Sequence, residues 1–461
     1  MAKQKAGHTL EALKVFEGLI SSGLIKALSQ EAASRERRQI FSSAVVVWMM
    51  IHQRLHPVKS LSGAVSALQV RGPVDIVGEQ GSLPARVGKI SDNTGGYARA
   101  RERLPITVVE HVADEVADAL GAIRLKKPDA GLSVFAVDGT TIRLTHSEKN
   151  VRAYPQYKNQ HGEAHYPLMN VAIATNIATG VALRPEFGAF NGNEAVSEVV
   201  LSERLLARLP AKSVVLGDRL YGTCRFAAEA CNAGHSPIVR MRDDIAKKFI
   251  GTNPGSAGEV AVDWSSNRSR TGKSYEVRGR VIWHTVRRKG FRPQFLILFT
   301  TLTDIPREKV VEIYTRRWNV ELDLRDLKAT LEMDMLYSKN PRIAEKEIIL
   351  GVVAYNLVRH FMLGIAKLLK VTPREVSFTH SLVLINTIAE SCVDATTHAD
   401  IDDKLRRAFY SLSRLKLPKR SRAPEPRKIW PKGQKNLMSK SRAEERKALT
   451  QPRASIWLRV Q

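Results

Sequence analysis

The segment from Tyr314 to Lys328 carries the residue types that phosphate chemistry would need. It contains no Gly or Pro, and most of its residues are good or neutral helix formers. At roughly 100° per residue, four polar side chains fall within an arc of about 60° on one helix face: Tyr314, Arg317, Glu321 and Lys328. A carboxylate can hold a hard metal cation, and basic side chains beside it can hold phosphate. The alternative is a solvated helix with i,i+4 ion pairs such as Arg317–Glu321.

Two further carboxylates follow short apolar runs. Asp138 comes directly after FAV in SVFAVDGTTIRL, a β-branched and apolar run that predicts a buried strand, and Asp218 follows VVLG. Ligand and metal sites in open α/β sheets gather at the carboxyl ends of strands. An Asp at a strand end is also common as a turn or helix N-cap residue. These two positions together with Glu321 favour a carboxylate metal site.

The charge balance predicts a polyanionic partner. The chain has 461 residues with 43% hydrophobic content, and 72 Lys and Arg against 46 Asp and Glu give a net charge of +26. An excess of that size indicates nucleic acid or an anionic membrane surface. The longest strongly apolar run, Ala44 to Ile51, is far shorter than the roughly 20 residues that span a bilayer. We therefore predict a nucleic-acid partner and no membrane.

The cysteines and the N-terminus predict a cytoplasmic protein. Cys224, Cys231 and Cys392 form no pattern with zinc-site spacing, and an odd number without a framework fits a reducing compartment. The first residues, MAKQKAGHTLEALK, lack the apolar core and cleavage site of a signal peptide.

The pattern of apolar and polar residues along the chain predicts an α/β core flanked by helical regions. Residues 1–125 are predicted to be a helical, DNA-binding N-terminal region, in which Arg99, Arg101 and Arg103 are either DNA contacts or a solvated helix face. The core is predicted in two parts, 126–228 and 305–370, separated by a β-rich insert at 229–304. Residues 371–461 are predicted to form a C-terminal helical region and a basic, proline-bearing tail that binds phosphate without sequence preference.

The order and setting of the three acids resemble a known family. Asp138, Asp218 and Glu321, on strand, strand and helix, resemble the catalytic triad of the DDE transposases with a ribonuclease-H-like core. A β-rich insert before the acidic helix is also similar to that family's arrangement. The resemblance therefore implies an α/β, ribonuclease-H-like fold with such an insert.

The acidic helix carries a more specific resemblance. Tyr, two residues, Arg, three residues, Glu, six residues and Lys match the signature of the insertion-sequence-four transposase family. The surroundings VDGTT, GDRLYG and AYNLVR are also similar to that family, and the resemblance covers roughly residues 35 to 380.

This resemblance implies an activity and its partners. The three carboxylates would hold two divalent cations, Mg²⁺ with Mn²⁺ as the alternative, for phosphodiester cleavage and strand transfer. Tyr314, Arg317 and Lys328 would contact backbone phosphates. The expected partner is double-stranded DNA, as transposon ends and as target, bound by a homodimer beside the bacterial nucleoid.

Two tryptophans in the predicted insert are candidates for a further DNA contact. Some relatives stack a flipped base on a tryptophan of the insert, and Trp264 and Trp283 are the local candidates. Core packing is the alternative for both.

Two other functions remain open on the sequence. One is a DNA-binding regulator that recognises ends without cutting, and the other is a ribonuclease-H-like nuclease without strand transfer. The complete set of acids and the basic tail favour the transposase.

Overall fold

Two compact units make up the part of the chain that the computed structural model describes. That part comprises residues 40–71, 90–123, 131–159, 162–266, 272–287 and 293–391, with single positions at 403, 407 and 411 and the short run 415–417. Unit one takes the described residues up to Pro210 and from Trp318 to Leu417, and unit two takes Ala211–Arg317. The predictions for residues 1–39 and for the basic tail lie outside the described residues. The predicted domain boundaries stay predictions.

Unit one begins with helices that share one apolar core: α1 (Ser43–Leu55), α2 (Leu61–Arg71), α3 (Gly95–Arg103) and α4 (Ile106–Gly121). The Ser42 hydroxyl accepts a hydrogen bond from the Val45 amide at 3.5 Å, so Ser42 is the N-cap of α1. Helix α4 buries Val109, Val112 and Val116, whose helical spacing places them on one face.

The sheet of unit one is built around the strand that carries Asp138. Strand β1 (Val134–Leu144) pairs antiparallel with β4 (Leu168–Asn176), and β4 pairs antiparallel with β5 (Glu186–Ala189). The connection from β1 to β4 contains α5 (Glu148–Ala153) and a two-stranded hairpin of β2 (Lys158–Asn159) and β3 (Gly162–Glu163). Helix α6 (Glu198–Leu206) packs on β4.

Unit two contains a second set of strands. Strand β6 (Val214–Gly217) leads through α7 (Cys224–Asn232) to β7 (Ser236–Arg240), which lies parallel to it. After α8 (Asp243–Ile250), three strands pair antiparallel in the order β8 (Ala257–Ser266), β9 (Tyr275–Val286) and β10 (Gln294–Thr300), and β10 also pairs with β7. Together, the two units give the mixed α/β fold that the sequence predicted.

The predicted single helix from Tyr314 to Lys328 is wrong. Helix α9 (Arg307–Thr315) ends there, α10 (Trp318–Arg325) begins three residues later, and a π-helical segment (Asp326–Thr330) follows. The Arg316 and Arg317 amides bond to the Ile313 and Tyr314 carbonyls at 3.2 and 2.9 Å, so a tight i→i−3 turn ends α9. The uniform 100° projection therefore fails for this segment.

The remaining elements return the chain to unit one. Strand β11 (Met335–Leu336) pairs parallel with β1, and α11 (Pro341–Leu369) is the long core helix. A 3₁₀ turn (Pro373–Glu375) and α12 (Phe378–Ser391) follow. By length and composition α11 could cross a membrane, but 94% of its apolar window is buried in the fold. It packs against α1 and α4 as a core helix.

A buried ion-pair network fixes α10 on α11. The Arg359 guanidinium donates to Asp323 at 2.5 Å and to Asp326 at 3.4 Å, and all three residues are buried. Arg374 pairs with both oxygens of Asp323. Burial raises the pKa of Asp326, against the lowering effect of Arg359. The Arg359 charge therefore offsets the cost of burying the two carboxylates.

Gly180 completes this network from the turn after β4. Its carbonyl accepts from the Tyr355 hydroxyl at 2.9 Å, and that hydroxyl accepts from Arg359 Nε at 2.7 Å. Its φ is +79°, and a Cβ there would lie 2.8 Å from Arg359 Nε. Glycine is therefore required at this position by both its backbone conformation and the close approach of Arg359.

Replacing Arg359 with Met should lower the free energy of unfolding by about 3 kcal/mol, because it leaves buried carboxylates without their main counter-ion. Urea unfolding followed by circular dichroism measures this change. Arg407→Met is the control, because Arg407 is an exposed arginine that pairs with Asp403 at i,i+4. The control should change stability by less than about 1 kcal/mol, and an equally small effect of Arg359→Met would contradict the role of the network.

Candidate active site

Asp138 lies half-buried on one face of β1 and in register with Ile173 of β4. Its Oδ1 accepts a hydrogen bond from the Gly139 amide at 3.0 Å. Because strand side chains alternate between faces, Thr140 shares the face of Asp138 and Gly139 faces the other way. The sequence correctly predicted a buried apolar run before this acid, but the predicted strand-end position is wrong, because pairing with β4 continues β1 past Asp138 to Leu144.

Lys328 reaches the same strand face from the π-helical segment. Its Nζ donates to Thr140 Oγ1 at 3.0 Å and to the Thr141 carbonyl at 3.2 Å. Thr140 is two residues from Asp138, or about 7 Å along the strand. Unit one therefore places an ammonium group near a carboxylate on one face of β1.

Glu321 is half-buried on α10, which packs against β1 and β4. The buried face of this helix carries Val320, Asp323 and Leu324. Glu321 lies about 100° around the helix from Val320, at the border of that face. Because Asp323 is held by Arg359 and Arg374, the rotation of α10, and with it the direction of Glu321, is fixed.

A fourth carboxylate, which sequence reasoning missed, lies against β1. A Cβ added to Gly139 would come within 2.1 Å of the Glu198 carboxyl carbon. Glu198 is half-buried in the first turn of α6, and it contacts the strand face opposite to Asp138. Gly139 therefore allows this close approach.

Asp218 directly follows β6 in unit two and is half-buried. Its Oδ1 accepts from the Leu220 amide at 2.7 Å, which fixes the turn after the strand. Gly217 pairs with Val239 of the parallel strand β7. The next residue of each chain segment, Asp218 or Arg240, therefore lies at the same edge of the sheet. This is the strand-end position that the sequence predicted for a ligand site.

Arg317, Arg240 and Asp218 each interact electrostatically with the Tyr314 phenol. Burial raises the pKa of the Tyr314 phenol to about 12, the positive charges of Arg317 and Arg240 oppose that rise, and Asp218 adds to it. A hydrogen bond also joins Tyr314 and Arg317. Two guanidinium groups therefore lie near the Tyr314 phenol, and each can bind phosphate in a forked geometry.

Sequence reasoning missed Arg240. A signal was available, because Arg240 ends the short apolar strand SPIVR as Asp218 follows VVLG. What the sequence could not show is that the two strands are neighbours.

Gly222 fixes the turn after Asp218 against Arg240. A Cβ at Gly222 would lie 2.0 Å from the Arg240 carbonyl oxygen, which is backbone and cannot swing away. The Gly222 amide also bonds to the Arg219 carbonyl at 3.4 Å. The glycine that ends GDRLYG therefore couples the Asp218 turn to the end of β7.

The two predicted tryptophans are held in unit two. Trp264 is 4% exposed and packs edge-on against Phe299, with ring centroids 4.9 Å apart. Trp283 is half-buried, donates from Nε1 to the Pro254 carbonyl at 2.7 Å, and covers Gly258 with its ring. Their DNA role stays a prediction. Trp318, which sequence reasoning missed, is 59% exposed directly after Arg317.

Arg101 is not available for DNA. It is 6% exposed, pairs with Glu347 of α11 and lies 5.7 Å from the centroid of the Tyr97 ring. That part of the prediction for α3 is wrong, because the helix turns Arg101 toward the core. Arg99 and Arg103 are exposed, so their DNA role stays a prediction.

The donor chemistry of the predicted acids fits a hard cation. Asp138, Asp218 and Glu321 offer carboxylate oxygens, which Mg²⁺ and Mn²⁺ prefer. Across the described ranges, no three His, Cys, Asp or Glu side chains are grouped so that they could hold a metal ion. The thiol of Cys224 is buried and bonds to the Trp264 carbonyl at 3.1 Å, as expected for a structural cysteine.

The chain is similar to transposases. Residues 129–357 match the family described as "Transposase DDE domain". Transposase InsG for insertion sequence element IS4, from Escherichia coli strain K12, is 24% identical over 413 residues, covering 88% of each chain. InsZ of the same strain is 27% identical over 209 residues, covering 44% of this chain and 62% of its own. The cryo-EM structure of the piggyBac transposase synaptic complex with hairpin DNA has a TM-score of 0.44 at 9% identity, covering 88% of this chain and 85% of that chain.

Replacing Gly222 with Ala should lower the free energy of unfolding by about 1–3 kcal/mol, because the new methyl group collides with the Arg240 backbone. Thermal and urea unfolding measure the loss. Gly121→Ala is the matched control, since a Cβ there meets no atom within 4 Å. If both variants unfold alike, the turn after Asp218 does not depend on this contact.

Proposed function

The chain belongs to the DDE transposases of the insertion-sequence-four type, and from that premise we propose that Asp138, Asp218 and Glu321 are its catalytic acids. They would hold two divalent cations for cleaving DNA phosphodiesters and joining the ends to target DNA. The observation that supports this proposal is that Arg317, Arg240 and Asp218 all interact with the Tyr314 phenol. Asp218 and Arg240 are far in sequence from Tyr314 and Arg317, which are two residues of the signature that the sequence resembles.

Divalent cations, when bound, supply an activated water and stabilise the leaving 3′ oxygen. The three acids suit this role because each is half-buried on a regular element or at its end, where packing restricts side-chain motion. In unit one, Asp138 and Glu321 belong to elements that pack directly on each other.

The basic residues would bind the DNA backbone. Arg240 and Arg317 can each fork onto a phosphate, whereas Lys328 acts as a point charge. The Tyr314 phenol stays protonated near neutral pH because its pKa is about 12. Because the phenol is only 5% exposed, it would support phosphate binding by holding the Arg317 guanidinium, to which it is hydrogen-bonded. In unit two, Arg240 and Arg317 would bind phosphates beside Tyr314, and in unit one Lys328 would bind a phosphate at the strand face that carries Asp138.

We infer that the strands form a ribonuclease-H-like core. In chain order, three antiparallel strands (β1, β4 and β5) precede α6, β6, α7 and the parallel strand β7. The antiparallel strands β8 to β10 then take the place of the expected insert before the acidic helix.

The partners of this activity would be the terminal repeats of the element and the target DNA, both double-stranded. Two ends must be held together for joining, so a homodimer is the assembly we propose. The cytoplasm of a bacterium, at the nucleoid, is the corresponding location. Any DNA contacts of Trp264 and Trp283 belong to the same proposal, with Trp283 the more accessible ring.

Glu321→Gln should abolish Mg²⁺-dependent cleavage and joining, by on the order of 10³-fold or more, because an amide is a poor substitute for a carboxylate metal ligand. The measurement uses a labelled duplex that spans the element's own end, with products separated on a denaturing gel. Mobility shift on the same duplex should show binding within about threefold of wild type.

Glu308→Gln is the matched control, because Glu308 is an exposed acid on the neighbouring helix α9. It should cleave as the wild type does. Retained cleavage by Glu321→Gln would remove this residue from the catalytic set. End binding by the wild type without any cleavage would favour a regulator, and cleavage without joining would favour a nuclease.

Arg240→Met should weaken binding of the duplex end and reduce the salt slope of log K by about 1, as expected for one lost phosphate contact. Fluorescence anisotropy over a series of salt concentrations measures both quantities. Arg278→Met, whose guanidinium is highly exposed on β9, is the control for loss of a single charge. An unchanged slope in Arg240→Met would show that Arg240 contacts no phosphate.

A further inference from the structure

Four exposed aromatic side chains lie in unit one, away from the segment of β1 that carries Asp138. Tyr157, Tyr166, Phe190 and Tyr337 are 42%, 37%, 37% and 77% exposed. We call these four residues the aromatic end. Large apolar rings are usually covered by other parts of a protein. The described residues leave these four rings exposed.

The strand register places three of these residues at one end of the sheet. Arg143 of β1 pairs with Leu168 at the start of β4 and with Met335 of β11, and Met169 pairs with Ala189 at the end of β5. Tyr166 precedes Leu168 by two residues. Phe190 and Tyr337 each directly follow a strand, β5 and β11 respectively.

Tyr157 joins them through the connection between β1 and β4. Its ring packs edge-on against Phe190 with centroids 6.0 Å apart, and its carbonyl accepts from the Ala164 amide at 2.8 Å. Asn191 also bonds to the Gln156 carbonyl at 2.9 Å. This connection is therefore anchored to the end of β5.

The backbone around Tyr337 is fixed on both sides although its ring is exposed. The Thr145 amide donates to the Leu336 carbonyl at 3.0 Å, and Asn150 Nδ2 donates to the Ser338 carbonyl at 2.8 Å. The Ser147 hydroxyl holds the next carbonyl, of Lys339, at 2.8 Å. The position of Tyr337 is therefore set before any partner binds, which lowers the entropy cost of binding.

Basic residues surround the aromatic end. Residues 143–153 and 334–342 contain five Lys or Arg against two Asp or Glu. The Arg143 guanidinium lies 5.9 Å from the centroid of the Tyr166 ring and pairs with Asp334. Exposed rings can stack on aromatic groups, and the excess of positive charge attracts a polyanion. The two features together favour a polyanion that carries aromatic groups.

We propose that the aromatic end binds unpaired nucleotides of a DNA strand. Base stacking on aromatic rings tolerates any sequence, and nearby cations follow the phosphates. A duplex keeps its base faces covered, so rings at the end of a sheet gain little from it. This surface is additional to the acids and phosphate-binding groups of the proposed function, and its test requires no cleavage.

Tyr337→Ala should weaken binding of a single-stranded oligonucleotide by roughly 5- to 100-fold, the loss expected for one stacked base. Binding is measured by fluorescence anisotropy with the full chain and a labelled, mixed-sequence strand of about 20 nucleotides. Affinity for a duplex of the same sequence should change by less than about twofold. Tyr337→Phe keeps the ring and should bind the single strand as the wild type does.

Val383→Ala is the matched control, because Val383 is an exposed apolar residue of unit one on α12, at 57% exposure. It should leave both affinities unchanged. Wild-type affinity of Tyr337→Ala for the single strand would overturn the proposal. Equal losses for single strand and duplex would also overturn it, because they would indicate a general effect on charge or folding.

A second measurement identifies the contact directly. Photocrosslinking of a strand that contains 5-iodouracil, followed by peptide mass spectrometry, should label peptides with Tyr157, Tyr166 or Tyr337. Labelling elsewhere only would contradict the proposal. Sedimentation of Tyr337→Ala tests the competing occupant, a second copy of the chain: a shift to smaller species with unchanged strand binding would assign the aromatic end to self-association.

Discussion

The burial of two carboxylates on the acidic helix is the constraint on which the rest of the site depends. Asp323 and Asp326 are removed from water on the inner side of this segment, and charges so placed destabilise a fold unless they are paired. Arg359 supplies the pairing from α11. Arg359 also donates a hydrogen bond to Tyr355, and Tyr355 donates one to the Gly180 carbonyl. These bonds fix the positions of α10, the core helix α11 and the turn after β4 relative to each other.

Two irregularities interrupt the segment from Tyr314 to Lys328, which begins in unit two and ends in unit one. The tight turn at Arg316 ends α9 in unit two, where the Tyr314 phenol interacts with both Arg317 and Asp218. The chain then enters unit one, where a π-helical segment brings Lys328 to β1. Such segments occur at functional sites more often than elsewhere. A regular helix would have placed Tyr314, Arg317, Glu321 and Lys328 on one face, and the two irregularities remove that common face.

Local patterns could predict the elements that carry the acids, and they could not predict the partners of those acids. Apolar runs predicted the buried strands near Asp138 and Asp218, but they did not show that β1 continues past Asp138 to Leu144. The burial of Arg101 against Glu347 joins residues 246 positions apart. The basic residues next to Arg101 in the sequence do not predict this contact. The sequence likewise does not predict that Arg240 is a neighbour of Asp218, because the two residues come together only when β6 and β7 pair.

Strand β1 relates the proposed catalytic face of unit one to the aromatic end. Asp138 and Leu144 are six residues apart on one strand, a separation of about 20 Å. That separation is set by the covalent geometry of an extended chain. The strand stays extended because β1 pairs with β4 along most of its length and with β11 at its end. DNA that met both regions of unit one would therefore have to span a distance that the protein cannot adjust. A duplex is stiff over such a length, whereas an unpaired strand can bend to reach the rings, so the fixed spacing itself favours the single-stranded occupant.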